Sequence, residues 1–544
     1  MTEEYDYIIV GAGSAGCILA NRLSAERDVT VCLLEAGPPD RNPFIHIPAG
    51  FIKTLVDSRI NWMFSTEPSA HTGGRSIPVP RGKTLGGSSA INGHIYNRGQ
   101  PDDFNAWAQL GNRGWGYADV LPYFKRTESR VGEADDRFRG REGPVKVENI
   151  PYRHPLCDRL IEGAAELGIP HNPDYNGAIQ EGISYVQRTA YRGRRVSTAT
   201  AYLHPVSYRK NLSVVTNAQV KRITLKDGRA NSVEVMRGHS QDETSVFRAR
   251  KEIILSAGAV GSPHILQVSG IGAPSLLNSI GVNVNHALNG VGENLQDHWA
   301  PRLSARVKGI ATLNERATGI RFAAEVVKYF LGAQSILNLS ASLVYGFWHS
   351  DPAVKSNDLQ FIFTPASFKD GQHGLFDSHP GYTIAAWRHR PESRGYVRAN
   401  STNVLEAPRI NPNYLAEESD RRATLNAVKL ARSLMQTQAM APFHAGEVYP
   451  GDDVQTDDEL MDAARRWGST TYHLMGTCRM GPKSDPSAVV DDELRVHGIE
   501  GLRVVDASIM PQMISANLNA ATMMIGEKGA DLILGRVAPD PIVI

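Results

Sequence analysis

Apolar residues along the chain fall into short runs separated by glycine-rich turns. Tyr5 to Val10 is a β-rich apolar run. A glycine turn follows, then a small-residue stretch from Ala15 to Leu23, then a second apolar run from Val29 to Leu34 that closes on Glu35. Strand, turn, helix and strand in that order predict the βαβ unit of a parallel sheet. Residues 36–81 read as loop, and 104–128 as helices around turns. Residues 212–254 alternate like strands about an Asp227-Gly228 turn and predict a β-meander. A second glycine-rich segment covers 256–272. From about 302 to 465 the text changes, first helical and then strand-rich around 359–399. A helix over 420–436 carries Leu425, Val428, Ala431, Leu434 and Met435 on one face, a core stripe. Leu502 to Val505 predicts a strand and Asn519 to Leu534 a helix. The pattern predicts an α/β protein in two discontinuous parts. One domain takes 1–150, 200–301 and 466–544, and a second takes 151–199 and 302–465.

Length agrees, since 544 residues exceed one simple core. With 58 Lys plus Arg against 57 Asp plus Glu, the chain shows no charge bias toward nucleic acid. The four cysteines, Cys17, Cys32, Cys157 and Cys478, form no CxxC pair, so no metal site is expected and a reducing cytoplasm fits. The N-terminus lacks a basic, apolar leader. The most membrane-like stretch, 322–348, contains Glu325 and Lys328, which argues against a transmembrane segment. The expected location is cytoplasmic, with room for peripheral contact with the inner membrane.

Gly11-Ala12-Gly13-Ser14-Ala15-Gly16 lies between the first strand and helix. Its first glycine allows the tight turn, its second a close approach to pyrophosphate, and its third close helix–strand packing. The helix N-terminus offers free N–H groups to phosphate. Glu35 follows Gly16 by 19 residues, where a carboxylate accepts from ribose hydroxyls and disfavours a 2′-phosphate. Against the plain reading of a glycine-rich turn, this context predicts a dinucleotide site in a Rossmann-like domain and leaves FAD and NAD both open.

Three longer segments narrow the choice: 81–93 (RGKTLGGSSAING), 258–272 (GAVGSPHILQVSGIG), and a C-terminal set. That set comprises 472–481 (YHLMGTCRMG), 505–511 (VDASIMP) and 515–519 (SANLN). With the βαβ unit they resemble the glucose–methanol–choline (GMC) oxidoreductases, over residues 5 to about 534. The resemblance implies a FAD-binding domain and an α+β substrate domain with a mostly antiparallel sheet. It implies that Gly11, Gly13, Ser14, Ala15 and Glu35 hold the ADP half, with Trp62 near the adenosine and Val220 against adenine. Gly82, Gly86, Gly87, Ser88, Ser89, Asn92 and Gly93 would pass along pyrophosphate and flavin, Asp506 and Ala507 along the ribityl and phosphate region, and Asn517 near the isoalloxazine. Where some relatives attach FAD through a histidine, this chain has Ile91, so non-covalent FAD is expected.

Alcohol oxidation removes a hydroxyl proton and a hydride from one carbon. The flavin takes the hydride, and the protein must supply a base and a donor for the developing alkoxide. The resemblance implies His473 as base and Asn519 as hydrogen-bonding partner, with Asn517 the nearby competitor. Either asparagine also fits a helix cap. His94 either touches flavin or substrate or is a packed histidine. The 290–298 stretch (GVGENLQDH), including His298, reads as mainly structural. The expected activity is oxidation of a primary alcohol with a quinone or other acceptor. The alternatives are an oxidase that uses O2 and makes H2O2, and a FAD-containing hydroxynitrile lyase.

Overall fold

Two sheets organise the chain, and the computed structural model describes residues 2–237, 240–369 and 375–544. The first sheet has a parallel centre. Strand β1 (Thr2–Val10) lies between β2 (Val31–Leu34) and the long β7 (Ser240–Leu255), and β4 (Leu212–Val215) extends the sheet beyond β2. On the far edge of β7, β6 (Arg229–Arg237) pairs antiparallel and carries β5 (Val220–Lys226). Farther along that edge, β13 (Leu502–Val504) pairs parallel with residues 253–255. The expected meander is present, and its turn at Asp227 and Gly228 has φ of 51° and 77°. Two successive positive values match the twist of the flanking strands.

Helix α1 (Ser14–Leu23) crosses from β1 to β2. A Cβ on Gly16 would lie 1.9 Å from the Gly11 carbonyl oxygen, so the third glycine of the motif is what lets α1 sit against the strand. The last helix, α5 (Leu518–Leu534), packs on α1, and a Cβ on Gly526 would meet Ala15 Cα at 3.1 Å. Arg22 on α1 makes two hydrogen bonds, 2.9 and 2.7 Å, to the buried Glu527 carboxylate on α5. The chain's two ends are thereby joined around the nucleotide-binding turn.

The second sheet is antiparallel throughout. Its order is β12 (His444–Tyr449), β8 (Arg302–Val307), β11 (Gly381–Arg388), β10 (Leu359–Thr364), β9 (Val344–Trp348) and β3 (Gly182–Tyr185). The register aligns Arg302, Ala385, Ile362 and Tyr345 in one cross-strand row. Side chains in such a row share a face, because strand residues alternate sides. Helix α4 (Glu418–Met435) packs on this sheet and on α2 (Pro155–Glu166) and buries Val428, Ala431, Leu434 and Met435 of the predicted stripe, while Leu425 at its edge is half-buried.

Helix α3 (Gly319–Phe330) behaves differently. Only Glu325 is buried, while Ile320 is 87% and Phe330 76% exposed. Glu325 accepts from Lys328 Nζ at 2.9 Å and from the Ile336 amide at 3.0 Å, which ties the helix to the following turn. Among the described residues no helix is long and apolar enough to cross a membrane.

Candidate active site

A continuous cavity of about 1060 Å³ runs from the βαβ turn to the open face of the antiparallel sheet. At the turn, the first helical bond is from Cys17 N–H to the Gly13 carbonyl, and no side chain caps α1. The first-turn amides are therefore free for an anion at the positive end of the helix dipole. A Cβ on Gly13 would find nothing nearer than 3.7 Å, so its bare backbone is open toward the cavity. Glu35 is buried and accepts from Ala12 N–H and Gly37 N–H, both at 2.9 Å. Burial lifts its carboxyl to about 7 against the pull of those amides. Both carboxylate oxygens still have capacity for ribose hydroxyls. These features fit a dinucleotide with two phosphates.

Most expected cofactor residues line the cavity: Gly11, Gly13, Ser14, Ala15, Glu35, Trp62, Gly82, Gly87, Ser88, Asn92, Gly93, Val220, Asp506, Ala507 and Asn517. Trp62 stacks on Phe64 with centroids 5.6 Å apart and receives Lys83 Nζ over its ring at 4.6 Å. Gly86 and Ser89 do not reach the cavity. Gly86 donates to the Ala12 carbonyl at 2.8 Å, and Ser89 Oγ donates to Gly86 O at 2.6 Å. They brace the loop from behind. Asp506 is engaged too: it accepts from Gly258 N–H at 2.8 Å and Ser262 Oγ at 2.6 Å, fixing the second glycine-rich segment.

His473 lies in the cavity wall with its Nε2 3.0 Å from Asn517 Nδ2. The expected pairing with Asn519 is not what forms. Asn519 Oδ1 instead accepts from Ser14 Oγ at 2.7 Å and so joins α5 to the start of α1. The two asparagines are separated by one residue at a helix start, where successive side chains diverge by about 100°. Asn517 occupies the N-cap position of α5, yet its side chain makes no capping bond. It turns toward His473, and Tyr345 O–H donates to its Oδ1 at 3.2 Å. That bond fixes the amide with Nδ2 toward the imidazole.

The other face of His473 meets His298, whose Nδ1 is 2.9 Å from His473 Nδ1. His298 Nε2 is 2.6 Å from the His389 carbonyl, an acceptor only, so Nε2 carries the hydrogen. Burial holds His298 down to about 4 and His473 well below the usual imidazole range, so both are neutral. His298 Nδ1 is then a lone pair, and the hydrogen between the rings belongs to His473 Nδ1. Thr471 Oγ1 lies 2.7 Å from the same atom. His473 Nε2 is left unprotonated, facing Asn517 and the cavity. Asp297 Oδ1 accepts from the backbone amides of both His473, at 2.7 Å, and His298, at 2.9 Å.

His298, Asp297 and Tyr345 are therefore part of the site, although the sequence reading left them out. The 290–298 segment held the signal, in an Asp-His pair ending a family-like glycine stretch, but its partners are remote in sequence. His94 is buried in the wall, with Nε2 3.3 Å from Pro48 O and Nδ1 3.1 Å from Ser340 Oγ. Both its nitrogens are occupied by the protein.

A parallel nucleotide-binding sheet opening onto an imidazole above an antiparallel sheet defines a dinucleotide-dependent oxidoreductase. Family models for the GMC oxidoreductases match residues 5–300 and 391–526. The chain is 38% identical to alcohol dehydrogenase [acceptor] of Pseudomonas putida, covering 98% of this chain and 96% of that protein. It is 40% identical to human mitochondrial choline dehydrogenase, over 98% and 91%. Among solved structures, pyridoxine 4-oxidase from Mesorbium loti superposes with a TM-score of 0.87 at 31% identity, covering 97% and 98%. The chain belongs to the GMC oxidoreductase family, and its cofactor is FAD.

Proposed function

We propose that this flavoprotein oxidises a primary alcohol to the aldehyde and passes the electrons to a quinone-type acceptor. The observation that carries the reading is the 3.0 Å contact between His473 Nε2 and Asn517 Nδ2 in the cavity wall. When bound, FAD supplies the hydride acceptor. Gly11, Gly13, Ser14, Ala15 and Glu35 hold its ADP half, and Gly82, Gly87, Ser88, Asn92 and Gly93 border the rest. Residues 1–150, 200–301 and 466–544 form the cofactor domain, and 151–199 with 302–465 the substrate domain.

His473 Nε2 takes the hydroxyl proton of the alcohol. Asn517 Nδ2 donates to the same oxygen as negative charge grows there. His298 holds the hydrogen of His473 on Nδ1, so Nε2 stays ready as a base. Burial leaves His473 neutral at working pH. Ile91 lines the cavity with a hydrocarbon side chain, and His94 is held by Pro48 and Ser340. These supports favour FAD held without a covalent bond.

The relative named alcohol dehydrogenase [acceptor] supports an organic acceptor. The oxidase named among the solved structures supports O2 as the second reading. Turnover with a quinone or dye, set against H2O2 formation in air, separates them. The alcohol reading is tested by mixing holoenzyme with alcohols without oxygen. Bleaching of the yellow colour supports it. Intact colour across a broad panel favours a lyase-type member of the family.

A further inference from the structure

The relatives include choline dehydrogenases, whose named substrate is a cation, while the substrate end of this cavity presents a cation of its own, Arg302. Its floor is the cross-strand row of Arg302, Ala385, Ile362 and Tyr345, with Trp387 farther along β11. Phe322, Val326 and Phe330 of α3 form one wall, and Phe368 and Phe376 contribute another. Phe322 and Phe330 are also 40% and 76% exposed, so the surface at this wall is apolar.

Three carboxylates among the described residues border the whole cavity, and all belong to its nucleotide end. Glu35 is bonded to Ala12 and Gly37 in the βαβ turn. Asp506 is bonded to Gly258 and Ser262. Glu406 accepts from Ser401 Oγ in a loop whose Val404 packs on Met236 and Val268 of the first domain. Over the antiparallel sheet Arg302 brings a positive charge to the cavity and hydrogen-bonds the Tyr472 phenol oxygen, and Arg81, which donates to the Tyr472 carbonyl, adds a second positive charge near His473. Aromatic walls alone attract a quaternary ammonium group. A guanidinium in the wall, with no carboxylate facing it among the described residues, opposes it by like-charge repulsion.

We infer that the substrate chamber selects neutral, apolar alcohols and rejects quaternary-ammonium alcohols such as choline, with Arg302 as the discriminating charge. The inference rests on the alcohol-oxidation reading and names its substrate class. A hydrocarbon chain fits the Phe322, Val326 and Phe330 wall, and its hydroxyl end reaches toward Tyr345, Asn517 and His473.

The test compares choline with 3,3-dimethylbutan-1-ol, which replaces its nitrogen by carbon at almost the same shape. Dissociation constants are read from the rapid flavin absorbance change that precedes reduction on stopped-flow mixing with oxidised holoenzyme, and kcat/KM from dye reduction. The neutral alcohol should bind about tenfold or more tightly, the scale of one like-charge repulsion at moderate separation. Arg302→Gln should shrink the ratio toward unity and Arg302→Glu reverse it, with both variants checked for bound FAD. Equal or tighter binding of choline by the native holoenzyme overturns the inference, as does an unchanged ratio in the folded Arg302 variants. Binding with the expected preference but no turnover of any alcohol leaves the chamber assignment standing and counts against alcohol oxidation.

Discussion

Asn517→Ala and Asn519→Ala separate the two asparagines at the start of α5. Asn517 loses the 3.0 Å contact to His473 Nε2 and the 3.2 Å bond from Tyr345. It also removes the amide hydrogen proposed to meet the alkoxide. Loss of one such donor costs about 10²–10³ in rate, or about 2.7–4 kcal/mol. Asn519 loses only its 2.7 Å bond from Ser14 Oγ, a part-buried contact between α5 and α1. A neutral hydrogen bond of that kind contributes about 1 kcal/mol to stability, so the rate should change by less than about fivefold while the melting temperature falls by a few degrees. The assay is anaerobic stopped-flow reduction at saturating alcohol, with FAD content and thermal melting as controls. A hundredfold loss in Asn519→Ala with Asn517→Ala near native speed would refute the assignment.

His298→Phe removes one of the two groups that meet His473 Nδ1 and leaves Thr471 Oγ1 as the other. Flavin reduction should slow by up to the roughly 10²–10⁴ that a general base contributes, while His298→Gln, which retains an acceptor, slows it less. The ring-nitrogen NMR shifts of His473 report the tautomer independently, and an unchanged tautomer in His298→Phe would count against this role. Six buried histidines have lowered pKa values: His154, His264 and His298 at about 4, and His94, His389 and His473 well below the usual 6.5. Below pH 6.5 the unfolded chain binds protons that these rings refuse. Their contribution to stability is therefore complete above 6.5 and is lost as pH falls toward 4, by up to about 1.4 kcal/mol per pH unit for each ring. Melting curves across that range check this, and a stability that rises on acidification contradicts it. Gly16→Ala places a methyl carbon 1.9 Å from Gly11 O and should cost at least about 1–3 kcal/mol and most of the bound flavin, read from the flavin-to-protein absorbance ratio. Acid precipitation of native holoenzyme should leave the flavin in the supernatant, and a yellow pellet would show a covalent bond.

The sequence made the parallel sheet legible because its strands are short, apolar and bounded by glycine turns. Glu35 and the glycines at 11, 13 and 16 followed from the same local geometry. Along 82–93 the reading was too generous, since it could not tell which side chains of a tight loop face inward; Gly86 and Ser89 face outward. The choice between Asn517 and Asn519 failed for a related reason. Two residues at a helix start differ by more than half a turn, and only the packed position of α5 decides which one meets His473. His298 was hidden because its role depends on His389 and His473, which lie 91 and 175 residues away in the chain. Arg302 could not be placed over the chamber until the strand register was known.

If His473 and Asn517 remove an alcohol proton while its carbon gives up a hydride, single-turnover mixing of holoenzyme with a neutral primary alcohol, unlabelled or deuterated at the carbinol carbon, should reveal it. The expected result is loss of the oxidised flavin spectrum, matching aldehyde formation, slower reduction with the deuterated alcohol, and a rate lower by orders of magnitude in a His473→Ala variant that still binds FAD. Native-speed reduction in that variant, or a flavin that stays oxidised with every alcohol, would contradict it.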